Sequence, residues 1–168
     1  MPAPLFSKNA HRYDPYRTFK FRVSIDGQAV AGLRKMSGLK KTIESTPWTT
    51  AGDSTERKLP GGVTYEPITL EQGLTHDPVF EQWANLVNSP EGDGGMSLKG
   101  FRKTITIDVL NLQGQIAMTY SVLGAWVSEY QALPEFDAGT TNTIGIQTIK
   151  LEHDGWVRDI VVEEPAET

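Results

Sequence analysis

Residues 57–73 read RKLPGGVTYEPITLEQG, a segment that opens with loop chemistry and ends as an alternating strand with a proline inside it. Val63 and Tyr65 set one apolar phase, whereas Ile68 and Leu70 set the opposite one. A one-residue bulge at Glu66-Pro67 would reconcile the two phases, because a bulge places two residues opposite one. Proline cannot donate to a ladder, so the segment reads as an edge strand rather than a central one. An exposed edge of this length is a template for pairing and needs something to complete it.

Upstream, Thr18–Ile25 alternates strictly, with Phe19, Phe21, Val23 and Ile25 on one face and Lys20, Arg22 and Ser24 on the other. Asp26-Gly27 follows and suits the positive φ values of a tight hairpin turn, so the chain is expected to return through residues 28–36. Residues 39–50, LKKTIESTPWTT, have the polar, β-branched composition of a long, partly solvated strand. Residues 51–62 carry loop signals at both ends, Gly52-Asp53-Ser54 and Pro60-Gly61-Gly62.

Downstream, residues 77–88 predict the one helix. Asp77 can cap the first turn, Pro78 suits its first position, and Val79, Phe80, Trp83, Leu86 and Val87 form one apolar stripe. A second meander follows, with Ile105, Ile107 and Val109 alternating, a turn at 112–115, and Ile116, Met118, Tyr120 and Val122 on one side of the return strand. The last strand, 143–153, changes apolar phase between Ile144/Ile146 and Ile149/Leu151, which predicts a bulge. The expected fold is mainly β, an antiparallel barrel or sandwich of six to seven strands with one flanking amphipathic helix. Residues 1–17 read as an N-terminal arm, residues 18–155 as the β domain, and residues 156–168 as an acidic tail expected to be loosely held.

With 168 residues, 38% hydrophobic and 22% charged, the chain can bury a core as one domain without staples. It contains no cysteine, which removes disulfides, thiolate metal sites and thiol nucleophiles together. A net charge of −5 argues against general nucleic-acid binding, and Arg34, Lys35, Lys40 and Lys41 read as a solvated surface because no aromatic residue interleaves them. The apolar runs fall far short of the roughly 20 residues a bilayer needs. The N-terminus lacks a secretory pattern, so cytosolic synthesis is expected.

No chemistry-bearing constellation stands out. His11, His76 and His153 have no metal-ligand spacing, and His76-Asp77 reads as a turn residue beside a helix cap. No GxSxG elbow is present, and the Gly-rich stretches at 61–62 and 92–95 lack phosphate-loop spacing. The expectation is therefore no enzyme, no cofactor, no metal and no catalytic residue. Long polar strands that are neither shortened nor blunted point instead to association with other chains.

The order of FKFRVSIDGQAVAGLRKMSGL at 19–39, RKLPGGVTYEPITLEQGLTHDPVFEQW at 57–83 and TIKLEHDG at 148–155 resembles the tail tube protein family of contractile phages and related contractile injection systems. The resemblance covers roughly residues 18–155. It implies a tail-tube, Hcp-like β-barrel subunit that assembles into sixfold rings, which stack into a hollow tube inside a contractile sheath. The implied partners are other copies of the chain, the sheath protein, baseplate or initiator and terminator proteins, and a tape-measure protein or cargo in the lumen. No sequence-specific nucleic-acid recognition and no membrane insertion by this chain are expected. Synthesis in the bacterial cytoplasm and assembly into a virion tail or injection-system particle are also implied.

On this reading Asp53, Glu56, Arg57, Lys58, Leu59 and Pro60 reach the adjacent ring. Thr42, Glu44, Thr69 and Glu71 line the lumen, and Phe6, Tyr13 and Tyr16 give the arm its contacts. The alternatives are an Hcp-type secretion tube protein and a monomeric ligand-binding β-barrel. The polar strand at 39–50 counts against the latter, which needs an apolar interior pocket.

Overall fold

The computed structural model describes residues 5–168, so the first four residues of the expected arm lie outside the described residues. Ten strands and one α-helix are present among the described residues. In chain order they are β1 (Phe21–Ile25), β2 (Gln28–Ala29), β3 (Leu33–Met36), β4 (Lys41–Trp48), β5 (Arg57–Tyr65), β6 (Ile68–Gly73), α1 (Val79–Val87), β7 (Lys103–Leu110), β8 (Ile116–Gln131), β9 (Ile146–Glu152) and β10 (Gly155–Arg158).

Eight strands form one antiparallel sheet in the order β2-β1-β7-β8-β9-β6-β3, with β10 paired to β8 off that path. Strand β8 joins its two halves: residues up to Ala125 pair with β7, and residues from Trp126 pair with β9. Val23, Ile25, Ile105, Ile107 and Val122 from one half meet Ile68, Leu70, Ile149, Leu151 and Val127 from the other in a single core. Helix α1 adds Phe80 and Trp83, 0% and 1% exposed, to that same core. Burying side chains of this size contributes about 1.5–3 kcal/mol each, which is what holds the two halves together. Strands β4 and β5 pair only with each other, as a separate two-stranded ribbon.

The count exceeds the expected six or seven strands for three reasons. The return segment 28–36 splits at Ala31-Gly32, so β2 stays with β1 while β3 crosses to β6. The segment around Glu66-Pro67 is a break between two strands in different sheets, not a bulge within one. The acidic tail is not loose at its start, because Trp156–Arg158 continue β10 against β8.

Other readings shift for local reasons. Asp26 and Gly27 have φ of 49° and 84°, as the tight turn requires, but Phe19 precedes the strand and is exposed. Asp77 Oδ1 accepts from the Val79 N–H at 3.2 Å, so it caps α1 from one position further out than Pro78. Along β8, Ala117 and Thr119 are buried whereas Ile116 stays exposed, and the Thr119 hydroxyl donates to Oδ1 of the buried Asp108 at 2.9 Å.

The apparent phase change in the last strand has a polar cause. Strand β9 buries Gln147, Ile149 and Leu151 in regular alternation, so a glutamine occupies an inside position. Its Nε2 donates to Oε1 of the buried Gln72, its register partner on β6, at 2.6 Å, and its Oε1 accepts from the Tyr130 hydroxyl at 3.0 Å. The Gln72 Nε2 in turn donates to the Ala31 carbonyl and to Asp77 Oδ2. One chain of hydrogen bonds thus links β8, β9, β6 and the start of α1. Replacing Gln147→Leu leaves Gln72 Oε1 without its donor inside the core, which is expected to cost about 1–3 kcal/mol. Urea melting measures it, and the double variant Q72L/Q147L should not restore stability, because removing Gln72 strips the Ala31 carbonyl of its donor in turn.

Candidate assembly surface

The ribbon formed by β4 and β5 is the feature the core cannot account for. Every residue from Lys40 to Thr64 is exposed, on both faces of the ribbon. Residues expected to form a loop, Arg57, Lys58, Leu59 and Pro60, are instead strand residues paired with Trp48, Pro47, Thr46 and Ser45. Prolines are tolerated here because a two-stranded ribbon leaves half of its backbone donors outside any ladder. Only the turn between the strands is loop, with Asp53 N–H donating to the Thr50 carbonyl and Asp53 Oδ1 accepting from Thr55 N–H.

The ribbon does contain a bulge, five to six residues before Pro67. Register slips between Ile43/Val63 and Ser45/Pro60, so Gly61 and Gly62 together oppose Glu44. A Cβ on Gly61 would lie 3.2 Å from the Glu44 carbonyl oxygen, so the close approach of the strands favours glycine there. The slip has a consequence for the surface. Ile43 and Val63 share one face near the base, whereas Trp48 and Leu59 fall on the opposite face near the tip. All four are substantially exposed, with Trp48 at 58%.

The residues expected to line a lumen fall on two different sheets. Thr42 and Glu44 lie on the ribbon, both on its Trp48 face. Thr69 and Glu71 lie on β6, alternating with the buried Ile68, Leu70 and Gln72 and therefore facing away from the core. On that outer face Thr69 pairs with Lys150, which pairs with Glu129, while Glu71 has Thr148 on one side and Lys35 on the other. The surface is polar, with opposite charges interleaved.

The arm residues are not equivalent. Phe6 and Tyr16 meet edge to face at 5.6 Å, with the Arg12 guanidinium over both rings at 4.9 and 4.4 Å, whereas Tyr13 is 83% exposed. Burial pushes the Tyr16 phenol above its ordinary value, against the pull of Arg12.

What holds the arm is the tail. Glu164 accepts from the Lys8 backbone N–H at 2.9 Å and from Asn9 Nδ2 at 2.6 Å, the buried Asn9 also receives the Glu167 N–H at 2.8 Å, and Lys8 and Arg12 pair with Glu163 and Glu167. Sequence reading treated the two ends separately and missed this clasp. The available signal was the complementarity of Lys8 and Arg12 with three glutamates at 163, 164 and 167.

The Lys8 ammonium hydrogen bond holds the Glu163 carboxyl below its ordinary value of 4.5, and the Lys8 backbone N–H does the same for Glu164. Groups whose folded value is depressed stabilise the clasp above their ordinary value, and that contribution is lost as pH falls through the folded values. The Lys8 and Asn9 amide resonances should therefore be steady at neutral pH and move toward unstructured positions as pH drops from about 5 to about 3. No movement in that window would contradict the clasp.

Among the described residues no group of His, Asp and Glu could hold a metal, and no helix is long and apolar enough to cross a membrane. His153 is engaged structurally, its Nε2 lying 2.9 Å from the Glu66 carbonyl and its Nδ1 accepting from Gly155 N–H.

The family described as T4-like virus tail tube protein gp19 matches residues 17–157. The chain belongs to this tail tube protein family. Similar folds accompany the match. An extracellular contractile injection system (PVC) sheath/tube terminator in the extended state is 25% identical with a TM-score of 0.73, over 88% of this chain and 98% of the other. A chain of the PVC sheath–tube complex in the extended state is 26% identical with a TM-score of 0.69, over 86% and 91%. The anti-feeding prophage cap, a tube-terminating cap, shares the fold at 24% identity and a TM-score of 0.73, over 88% and 93%. No curated protein matches by sequence. A tail tube protein is a structural subunit, and the mainly β fold with a single helix fits that class.

Proposed function

We propose that this tail tube protein is the repeating subunit of the inner tube of a contractile phage tail or contractile injection system, its copies arranged in sixfold rings that stack around a lumen. The observation that carries the reading is the ribbon of β4 and β5, which exposes Ile43, Val63, Trp48 and Leu59 with no cover from the described residues of its own chain. Contacts that run from a ribbon to a different surface of the next copy are heterologous and stay open along a stack, which is how a tube grows. Asp53, Glu56, Arg57, Lys58, Leu59 and Pro60 lie at the turn and along β5, where they reach the adjacent ring. The charges there set register more than affinity.

The outer face of β8, β9, β6 and β3, with Thr69 and Glu71, lines the lumen, and Thr42 and Glu44 extend that lining onto the ribbon. Its interleaved charges let a tape-measure protein or other cargo pass without adhering. The opposite side of the subunit, with the arm and its exposed Tyr13, faces the sheath. Baseplate and terminator proteins close the two ends, and the chain acts by shape and contact rather than by catalysis. The relatives come from a sheath–tube complex and from tube terminators, which supports the same set of partners.

Negative-stain electron microscopy of the purified chain at high concentration, with light scattering on the same sample, tests the reading. Hollow rods or rings with sixfold end views are expected. A species that stays monomeric even with an initiating ring present would overturn it in favour of a ligand-binding barrel.

A further inference from the structure

An apolar cleft of about 300 Å³ opens between the two half-sheets, where Phe21 and Val109 of β1 and β7 face Met36 of β3, with Ile107 at its floor. Tyr16, Arg17, Thr18 and Lys20 form the rim. The lining includes two cations and no acid. The ribbon carries the complementary features. Trp48 stands exposed at the end of β4, and the turn beyond it, residues 49–56, contains Asp53 and Glu56 and no cation. Arg57, cross-strand from Trp48, marks where the basic part of β5 begins.

We propose that the cleft is the socket for the ribbon tip of a second copy of this chain, with the Trp48 indole entering between Phe21 and Met36 while Asp53 and Glu56 face Arg17 and Lys20. The inference rests on the tube reading and specifies which surface of the neighbour receives the ribbon. Buried tryptophans are the strongest anchors of protein interfaces, and paired charges around an anchor fix its orientation. The socket needs no rearrangement of the core, because its apolar walls are already open to solvent. It also uses a surface distinct from the ribbon, so the contact can repeat head to tail along a stack.

The chain has no cysteine, so introduced thiols report cleanly. The double variant T18C/T50C places one thiol on the socket rim and one beside Trp48. Oxidation of assembled protein is expected to give a covalent ladder extending past the dimer, whereas each single variant stops at dimer. Adding W48A should reduce the ladder at least tenfold, and K20E should do the same and be rescued by E56K. Circular dichroism of each monomer checks folding, which changes at these exposed side chains and the half-buried Lys20 should not disturb.

A ladder unchanged by W48A, or none in samples where microscopy shows tubes, overturns the socket and leaves the tube reading standing. The first result would also fit a cleft covered by the chain's own exposed Phe19. Wild-type protein that never assembles overturns both.

Discussion

A variant in which residues 43–63 are replaced by Asn-Gly is expected to fold as a monomer with nearly unchanged thermal stability and to form no tubes at all. Thr42 and Thr64 are register partners, so a two-residue turn can join them without moving the strands that flank the ribbon. The ribbon contributes nothing to the core, since neither the buried cluster nor the side chains packed against it include any residue from Lys40 to Tyr65. Changes confined to exposed positions usually stay within about 0.5 kcal/mol, and an isolated two-stranded hairpin is marginal by itself. Assembly is a different matter, because the variant loses Ile43, Val63, Trp48 and Leu59 together, the exposed apolar side chains on both faces of the ribbon. Calorimetry and negative-stain microscopy of the same preparation read the two effects separately. A variant that unfolds, or one that still builds tubes, contradicts the division between core and ribbon.

The largest effect on stability is expected at Trp83. Its ring is 1% exposed within the shared core, and its Nε1 donates to the Phe101 carbonyl at 2.7 Å, tying α1 to the segment that leads into β7. Trp83→Ala opens a cavity costing about 3–5 kcal/mol. Leaving the Phe101 carbonyl without its donor adds about 1 kcal/mol. A domain of this class has roughly 5–15 kcal/mol in total, so the variant sits near the edge of folding. Trp83→Phe keeps most of the packing and should lose far less. Urea melting of both variants checks the order, and equal losses would mean that the hydrogen bond rather than the packing holds the helix.

How much of this could be read in advance differs from element to element. The strand around Val23 and Ile25, its Asp26-Gly27 turn and the helix stripe with Phe80 and Trp83 were legible because each carries its own periodicity or turn chemistry. The break at Pro67 was visible as a change of phase, yet a phase change cannot distinguish a bulge from a passage between two sheets. Gln147 hid the true phase of β9, since periodicity counts apolar residues and not the partner that makes a buried amide acceptable. The ribbon's strand at Arg57–Pro60 was masked by Pro60-Gly61-Gly62, which punctuate a loop in most contexts but here form a bulge and an edge. The clasp of arm and tail joins residues more than 150 positions apart, and no local pattern reaches that far. The exposure of residues 53–60 was readable from their turn and charge signals, but only the register showed that Trp48 and Ile43 point to opposite faces.

The central claim is that the ribbon is completed by neighbouring copies, and amide hydrogen exchange across residues 41–65 tests it most directly. In the monomer the outward-facing amides of both strands should exchange rapidly, as an exposed two-stranded ribbon dictates. In assembled tubes the same amides should slow by at least about tenfold, while those of β6 and β9, already protected by the core, change little. Ribbon amides that exchange as fast in the tube as in the monomer would contradict the account.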